Sequence, residues 1–377
     1  MSASGGVATE YQGRPVIRHF GDPAAEYRAA TEEVAVFDRS PRGRLVITGQ
    51  AAGRMLEGIL TGRIPDPPSH VTDGVLGGVG TYHGVLTSKG KMITDLWTIL
   101  TGSEDEAGIL LDIPVAGVTG LTENLKKFLP PRFAIAEDVS GAVGMVTVVG
   151  PAAAEILSRL ALGACVQAGE LARLPEGAWR LLGPDLMDGL LVMKTEDVWP
   201  EAYSVIGATE VLREFWKTLV SDGAAPAGLG VWSTLRVEAG RPVFGTDMDE
   251  QTIPIEAGIH KRSIDYEKGC FTGQEVIIRI RDRGHVNKSL KMLRFGDVPT
   301  PRSGTELHDE DSDKVVGFIT SAVQSPKFGE VIGLAYVRRG CEVVTLHGQG
   351  VTVPQESHYR VHGHRIRMRT HPSLFSG

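Results

Sequence analysis

Two related α+β units followed by a small all-β barrel or sandwich is the fold class the sequence predicts, and three observations carry it. A short apolar strand between glycines runs into a helix twice, at Gly43–Gly49 with Ala51–Leu60 and at Gly144–Gly150 with Pro151–Leu160. Past about residue 287 the apolar runs are short, Gly, Pro and Asp turns separate them, and no helical pattern survives. With 377 residues, 42% hydrophobic and 23% charged, the chain is long enough for two or three domains of ordinary globular composition.

Taken in order, residues 1–14 are small and polar and are expected to be disordered. Tyr27–Phe37 reads as a helix. Gly43–Gly49 is a strand, and Met55, Leu56, Ile59 and Leu60 share one side of the helix Ala51–Leu60. The Pro/Asp-rich Ile64–Ser69 reads as a loop. Val79–Leu86 and Met92–Leu100 are strand-like, and Thr87–Lys91 between them has the turn chemistry of a hairpin. Ile109–Ile113 is a further strand, Thr119–Phe128 a helix, and Glu137-Asp138 ends another strand.

The second unit repeats the pattern. Pro151 stands near the start of its helix, where proline is tolerated. A strand at Leu190–Lys194 and a helix at Glu210–Ser221 complete it. Leu290–Phe295, Val315–Thr320, Val331–Val337 and Val343–Leu346 are the strands of the last domain. Arg360, His362, His364, Arg365, Arg367 and Arg369 read as an exposed basic tail. The expected boundaries are 15–140 for the first unit, 141–288 for the second and 289–377 for the β domain, with the first two free to interleave in space.

A net charge of −7 argues against a general nucleic-acid binder, while leaving room for a local basic patch over Arg279–Lys288. The three cysteines, Cys165, Cys270 and Cys341, are widely spaced, with no CxxC and no histidine cluster at metal-ligand intervals. A disulfide scaffold and a metal site made by this chain alone are therefore not expected, and a reducing compartment fits. The first residues show no basic segment leading into an apolar one, and no run approaches the ~18 apolar residues of a membrane span. The expected location is cytoplasmic, with no membrane partner.

The densest chemistry lies at Lys268-Gly269-Cys270-Phe271-Thr272-Gly273-Gln274-Glu275. Two glycines bracket Cys270, so the backbone there can take positive φ or approach a ligand closely. A nearby Lys268 and a helix start at Gln274 would favour its thiolate. The plainer reading is a small buried cysteine in a turn, followed by a solvated basic face.

This octapeptide resembles the signature K-G-C-[YFW]-x-G-Q-E of the YgfZ proteins, folate-binding relatives of the glycine-cleavage T-protein. Other stretches extend the resemblance. Val34-Ala-Val-Phe37-Asp38-Arg-Ser40 is similar to the T-protein motif V-F-D-x-S. Ala227–Gly240 resembles its G-L-G-A-R-D-x-L-R-L-E-A-G, and Thr320–Gly329 with Ile332–Val337 its T-S-G-x-x-S-P-x-x-G segment. The likeness runs from Tyr27 to Val353. It implies a T-protein-like arrangement of three domains around a central channel that accepts tetrahydrofolate or a folate derivative.

The resemblance implies site residues as well. Arg236 or Glu238 would stand near the channel, the guanidinium suited to a folate carboxylate and the carboxylate to the pterin's paired donors. The rival reading is a solvated salt-bridging face, because two residues apart on a helix diverge by about 200°. Asp95 and Trp97 share a strand face, where an acid beside a ring could hold a cofactor amine; an edge-strand charge is the alternative. Tyr82 would flank the pterin or fill the core. Lys268, Gln274 and Glu275 would support Cys270 at the channel mouth.

The sequence also departs from the T-protein. Its G-G-x-x-D-D is Gly90-Lys-Met-Ile-Thr94-Asp95 here, and Val231-Trp232-Ser233 stands for its A-R-D. Losing one of two adjacent acids weakens the expectation of acid–base catalysis. The favoured expectation is a YgfZ-type folate-binding protein acting in iron–sulfur cluster assembly or repair of client enzymes. The alternative is a tetrahydrofolate-dependent aminomethyltransferase or demethylase of the T-protein type.

Overall fold

The computed structural model describes residues 6–102, 108–309, 314–341 and 344–346. The basic tail expected at Arg360–Arg369 and the strand start at Val343 lie outside them.

The chain opens on a hairpin where disorder was expected: β1 (Val7–Tyr11) and β2 (Arg14–His19) pair antiparallel. Gln12 and Gly13 turn it with φ of 50° and 76°, the left-handed pair that a two-residue hairpin loop needs. Gln12 then pins the tip, donating to the Phe244 carbonyl at 3.0 Å and accepting the Ala116 N–H at 3.3 Å.

α1 (Pro23–Glu32) starts on Asp22, whose carboxylate accepts the Ala24 N–H at 2.9 Å. It is shorter than the helix expected over Tyr27–Phe37. The buried, partly β-branched run after it is a strand instead, β3 (Ala35–Asp38). β4 (Gly43–Thr48) and α2 (Ala52–Glu57) follow as expected. The strand expected at Val79–Leu86 is two elements, divided at Gly80. β5 (Ser69–Thr72) and β6 (Val75–Val79) belong to one sheet, while β7 (Thr81–Leu86), β8 (Met92–Leu100), β9 (Ile109–Ile113) and β10 (Ile135–Asp138) build another with α3 (Val118–Phe128) on its back.

The second unit runs β11 (Val143–Val149), α4 (Ala153–Leu160), α5 (Ala168–Arg173), β12 (Ala178–Leu182), β13 (Leu190–Thr195), β14 (Ala202–Ala208), α6 (Thr209–Ser221), β15 (Ala225–Ala227) and α7 (Leu229–Glu238). A long connection with the short α8 (His260–Ser263) leads to α9 (Gln274–Arg283). The last domain holds β16 (Lys288–Gly296), β17 (Glu306–Asp309), β18 (Val315–Ser325), β19 (Glu330–Arg338) and β20 (Val344–Leu346), in the sheet order β16-β19-β18-β17-β20.

One sheet runs β10-β4-β9-β8-β7; the other runs β15-β3-β11-β14-β13-β12-β6-β5, so β3, β5 and β6 leave residues 15–140 for the second sheet. The repeat read from the sequence is geometric too. Gly49 and Gly150 take φ of 124° and 130° at equivalent corners, and a Cβ at either would collide with a carbonyl oxygen, of Phe133 or of Glu33. Each glycine carbonyl starts its helix, accepting from Ala52 at 3.1 Å or from Ala153 at 3.0 Å.

Four layers result. Leu56 of α2, Leu60 just past it, and Leu121 and Leu125 of α3 back the first sheet, and Leu157, Leu212 and Trp216 of α4 and α6 back the second. Between the sheets, Tyr82, Trp97 and Ile99 face Met145, Trp179 and Met193. The last domain docks through Leu290, Ile332, Leu334 and Tyr336 onto Val237 of α7.

Candidate functional site

The β7–β8 pair places three of the expected residues together. Tyr82 lies opposite Trp97 and Gly84 opposite Asp95. Asp95 and Trp97, two apart, therefore share a face with Tyr82, and the missing side chain at Gly84 leaves Tyr82 free to reach diagonally. Its hydroxyl donates to Asp95 Oδ2 at 2.7 Å. Asp95 Oδ1 is buried and has no hydrogen-bond partner among the described residues. Burial pushes this carboxyl up, with the Tyr82 hydrogen bond and the Arg42 charge pulling the other way. The neighbouring Thr94 faces the opposite side, donates to the Asp95 carbonyl at 2.9 Å and packs on Gly117. Strand alternation thus lets only one of two adjacent acids enter this space, and the chain keeps that one.

Arginines surround the acid. Arg262 of α8 lies 4.2 Å over the Tyr82 ring and 5.3 Å from the Trp97 centroid, paired with Glu176 and, at 2.8 Å, with Asp197. Burial would raise Asp197, but Arg262, Arg42 and Arg241 hold it down to about 2. Arg42 pairs with Asp112 at 2.7 Å. Arg39 lies 4.0 Å over the Trp232 ring, which meets Phe37 edge-on at 5.4 Å.

These side chains wall a stepped cavity. Its outer compartment, about 280 Å³, is mostly apolar, with Tyr11, Ile17, Phe20, Phe37, Trp232 and Val243 in its walls. The hairpin missed by sequence reasoning supplies part of that wall. An inner space of about 30 Å³ lies among Tyr82, Asp95, Trp97, Asp197 and Arg262, and another of about 10 Å³ among Trp97, Asp112, Thr147 and Asp197. Arg39, Arg42 and Trp232 line all three. A wider surface groove of about 570 Å³, with Arg281, His285, Lys291 and Arg338, touches none of Tyr82, Asp95 or Trp97.

Arg236 reaches the inner space, yet its guanidinium is committed to Asp247 and Ser321, each at 2.7 Å. Glu238 points elsewhere, as the helical angle requires: it accepts from Tyr27 at 2.8 Å and from Ser325, tying α1 and α7 to the last domain. Both are buried, so neither forms the solvated face that was the alternative.

The octapeptide lies elsewhere. Lys268 does not support a thiolate: its ammonium donates to the carbonyls of Glu57, Leu60 and Gly62 at 2.8, 2.9 and 2.7 Å, capping the end of α2. Gly273, at φ 85°, lies where a Cβ would meet the Thr87 carbonyl oxygen at 2.6 Å, so it seats α9 on the β7–β8 turn. Phe271 is buried, Cys270 is exposed, Gln274 is half-buried, and Glu275 pairs with Arg279 in solvent. None of these residues lines the stepped cavity. Cys165 is exposed, not built into the core.

Sequence reasoning missed Arg39, Arg42, Asp197 and Arg262. Trp232 carried a signal, since it stands in place of the arginine of the T-protein's A-R-D. His83 is buried between the Gly62 N–H at 3.1 Å and Thr98 Oγ1 at 2.8 Å, and burial holds its pKa down to about 3. Among the described residues there is no His/Cys/Asp/Glu group able to hold a metal ion, and no helix is long and apolar enough to cross a membrane.

Residues 6–268 match the GCVT N-terminal domain and residues 288–375 the glycine cleavage T-protein C-terminal barrel domain. An aminomethyltransferase of Thermosynechococcus vestitus is 28% identical over 313 residues, covering 83% of this chain and 79% of that protein. One of Synechocystis sp. is 27% identical over 338 residues, with 87% and 84% covered. One of Corynebacterium jeikeium is 25% identical over 359 residues, with 92% and 89% covered. The glycine cleavage system aminomethyltransferase T of Bartonella henselae has the same fold, with a TM-score of 0.76 over 92% of this chain and 91% of that one at 17% identity.

Proposed function

The chain belongs to the glycine-cleavage T-protein family, and on that premise we propose that it is a tetrahydrofolate-dependent one-carbon transferase, an aminomethyltransferase or demethylase. The observation that carries the reading is Asp95: a buried acid, hydrogen-bonded through one oxygen, with the other bare beside the cavity. The doubt raised by the single acid of Thr94-Asp95 loses its force, because the other position faces away.

The cavity suits a folate. Its apolar outer compartment, just below the ~300–1,000 Å³ usual for ligand pockets, can seat an aromatic ring system between Phe37, Trp232 and Val243. Bound tetrahydrofolate would supply the amine nitrogen that accepts the one-carbon unit. Asp95 Oδ1 can hold or accept a proton there, and its raised proton affinity fits that task. Tyr82 fixes the carboxyl's orientation, and Arg262, stacked on Tyr82 and Trp97, braces both rings. The narrow inner spaces admit little water around the acid.

The test is turnover: tetrahydrofolate with either N,N-dimethylglycine or an aminomethyl-lipoyl carrier protein, followed by the one-carbon folate formed. Turnover with one donor that disappears in Asp95→Asn supports the reading. Folate binding without turnover on either donor would count against it.

A second reading rests on the exposed Cys270 in its octapeptide: a cytoplasmic folate-binding protein of YgfZ type that serves iron–sulfur client enzymes. Complementation of a strain lacking the protein tests it. Full rescue of cluster-enzyme activity by Cys270→Ala would remove the role for the thiol.

A further inference from the structure

Of the five arginines that line the cavity, four pair with carboxylates among the described residues. Arg42 pairs with Asp112 at 2.7 Å, Arg236 with Asp247 at 2.7 Å, Arg241 with Glu196 at 2.9 Å and Arg262 with Asp197 at 2.8 Å. Arg39 pairs with no carboxylate among the described residues; its guanidinium carbon lies over the Trp232 ring, 4.0 Å from the centroid. A guanidinium held over a ring by its carbon keeps N–H donors for a further partner.

The arginine is held by its backbone. Its N–H donates to Met145 at 3.0 Å, and its carbonyl accepts from Arg42 N–H at 3.3 Å and the Arg44 guanidinium at 3.4 Å. Asp38 closes the same turn by accepting the Ser40 N–H at 2.9 Å. Burial and the repulsion of Arg42 bring Arg39 down to about 10, as expected of a cation short of an anion.

We propose that Arg39 anchors a carboxylate of the bound ligand where the outer and inner compartments meet. A carboxylate matches the site better than a phosphate does. Both its oxygens fit one guanidinium fork, and the other arginines of these walls are already paired, so a second negative charge would be uncompensated. The choice of ligand rests on the one-carbon reading. Two molecules of that reaction carry the group: the glutamyl tail of the folate, and an acidic one-carbon donor.

Calorimetric titration of the whole protein separates these. The proteins are wild type, Arg39→Gln and Arg39→Lys, each checked for native near-UV circular dichroism. The probes are 5-formyltetrahydrofolate and its dimethyl ester, and N,N-dimethylglycine and its amide. The expected result is that Arg39→Gln weakens one free acid by about tenfold or more while its masked counterpart is unaffected. Arg39→Lys should recover part of the loss. Loss confined to the folate pair names the glutamyl tail; loss confined to the small acid names the donor.

Unchanged affinity of Arg39→Gln for both acids overturns the anchor and leaves folate binding intact. Equal weakening of acid and masked form overturns it in favour of packing against Trp232, and a wild type that binds neither acid overturns it outright. A wild type that binds the small acid through Arg39 but no folate keeps the anchor and sinks the folate reading.

Discussion

Tyr82 and Asp95 meet diagonally across one antiparallel pair, hydroxyl to Oδ2 at 2.7 Å, so that a single oxygen of the acid is satisfied inside the protein. Burial outweighs that hydrogen bond, so the carboxyl holds its proton more tightly folded than unfolded. Such a group lowers stability once ionised. Near or below its unfolded pKa of about 3.9 both states are protonated and nothing is lost; as pH rises through the higher folded value, the full penalty appears. Asp95→Asn should therefore raise Tm relative to wild type at about pH 8, with the gap closing toward about pH 4. Thermal denaturation across that range checks it, and a gap of constant size would contradict it.

The same oxygen predicts a kinetic result. Asp95→Asn should lower kcat of folate-dependent transfer by about 10²–10⁴-fold, with folate affinity largely kept. Thr94→Asp should restore nothing. It would bury a second carboxylate against Gly117, lowering Tm without raising kcat. A gain of activity in Thr94→Asp would show that both acids of the relatives' pair serve the reaction.

Lys268 caps three carbonyls from inside the fold. Lys268→Met should cost about 3 kcal/mol in urea unfolding, since it strips charged donors from buried acceptors. Cys270→Ser, two residues on and exposed, should change stability by less than about 0.5 kcal/mol. Equal effects of the two substitutions would refute the division of labour within the octapeptide.

Arg236 and Asp247 form a buried pair, and Asp247 also accepts from Thr320 and Ser321 of β18. Arg236→Met leaves that carboxylate without its cation and should cost about 3–5 kcal/mol. Hydrogen exchange should show the loss spreading into β18. Exchange confined to α7 would mean the pair does not couple the two domains.

Thiol accessibility is a direct check on the octapeptide's surface position. A folded sample treated with an aromatic disulfide reagent should show Cys165 and Cys270 reacting fast and the half-buried Cys341 slowly. A slow Cys270 would place the loop differently.

Legibility in the sequence followed from how local each signal was. The β4–α2 and β11–α4 repeat, the β7–β8 hairpin and most C-terminal strands show as periodicity bounded by glycines. β3 did not, because Val34-Ala-Val-Phe37 reads as the end of a helix until β11 and β15 are present to pair with it. The site divided the same way. Asp95 and Trp97 were found because two-residue periodicity aligned them, and Tyr82 through the resemblance to the T-protein. Arg262 and Asp197 come from segments far along the chain and carry no pattern that marks them. Lys268 and Glu275 drew notice by composition, and composition does not tell a cap or a solvated pair from a ligand contact.

The exchange of strands between the two sheets sets a schedule for biosynthesis. β3 sits between β11 and β15, so a nascent chain ending near residue 140 holds a buried-type strand with both neighbours still unmade. β6 waits likewise for β12. The amino-terminal third must therefore stay unsettled, or shielded by a chaperone, until residues up to Ala227 have left the ribosome; cutting the gene at that apparent boundary should yield two insoluble fragments.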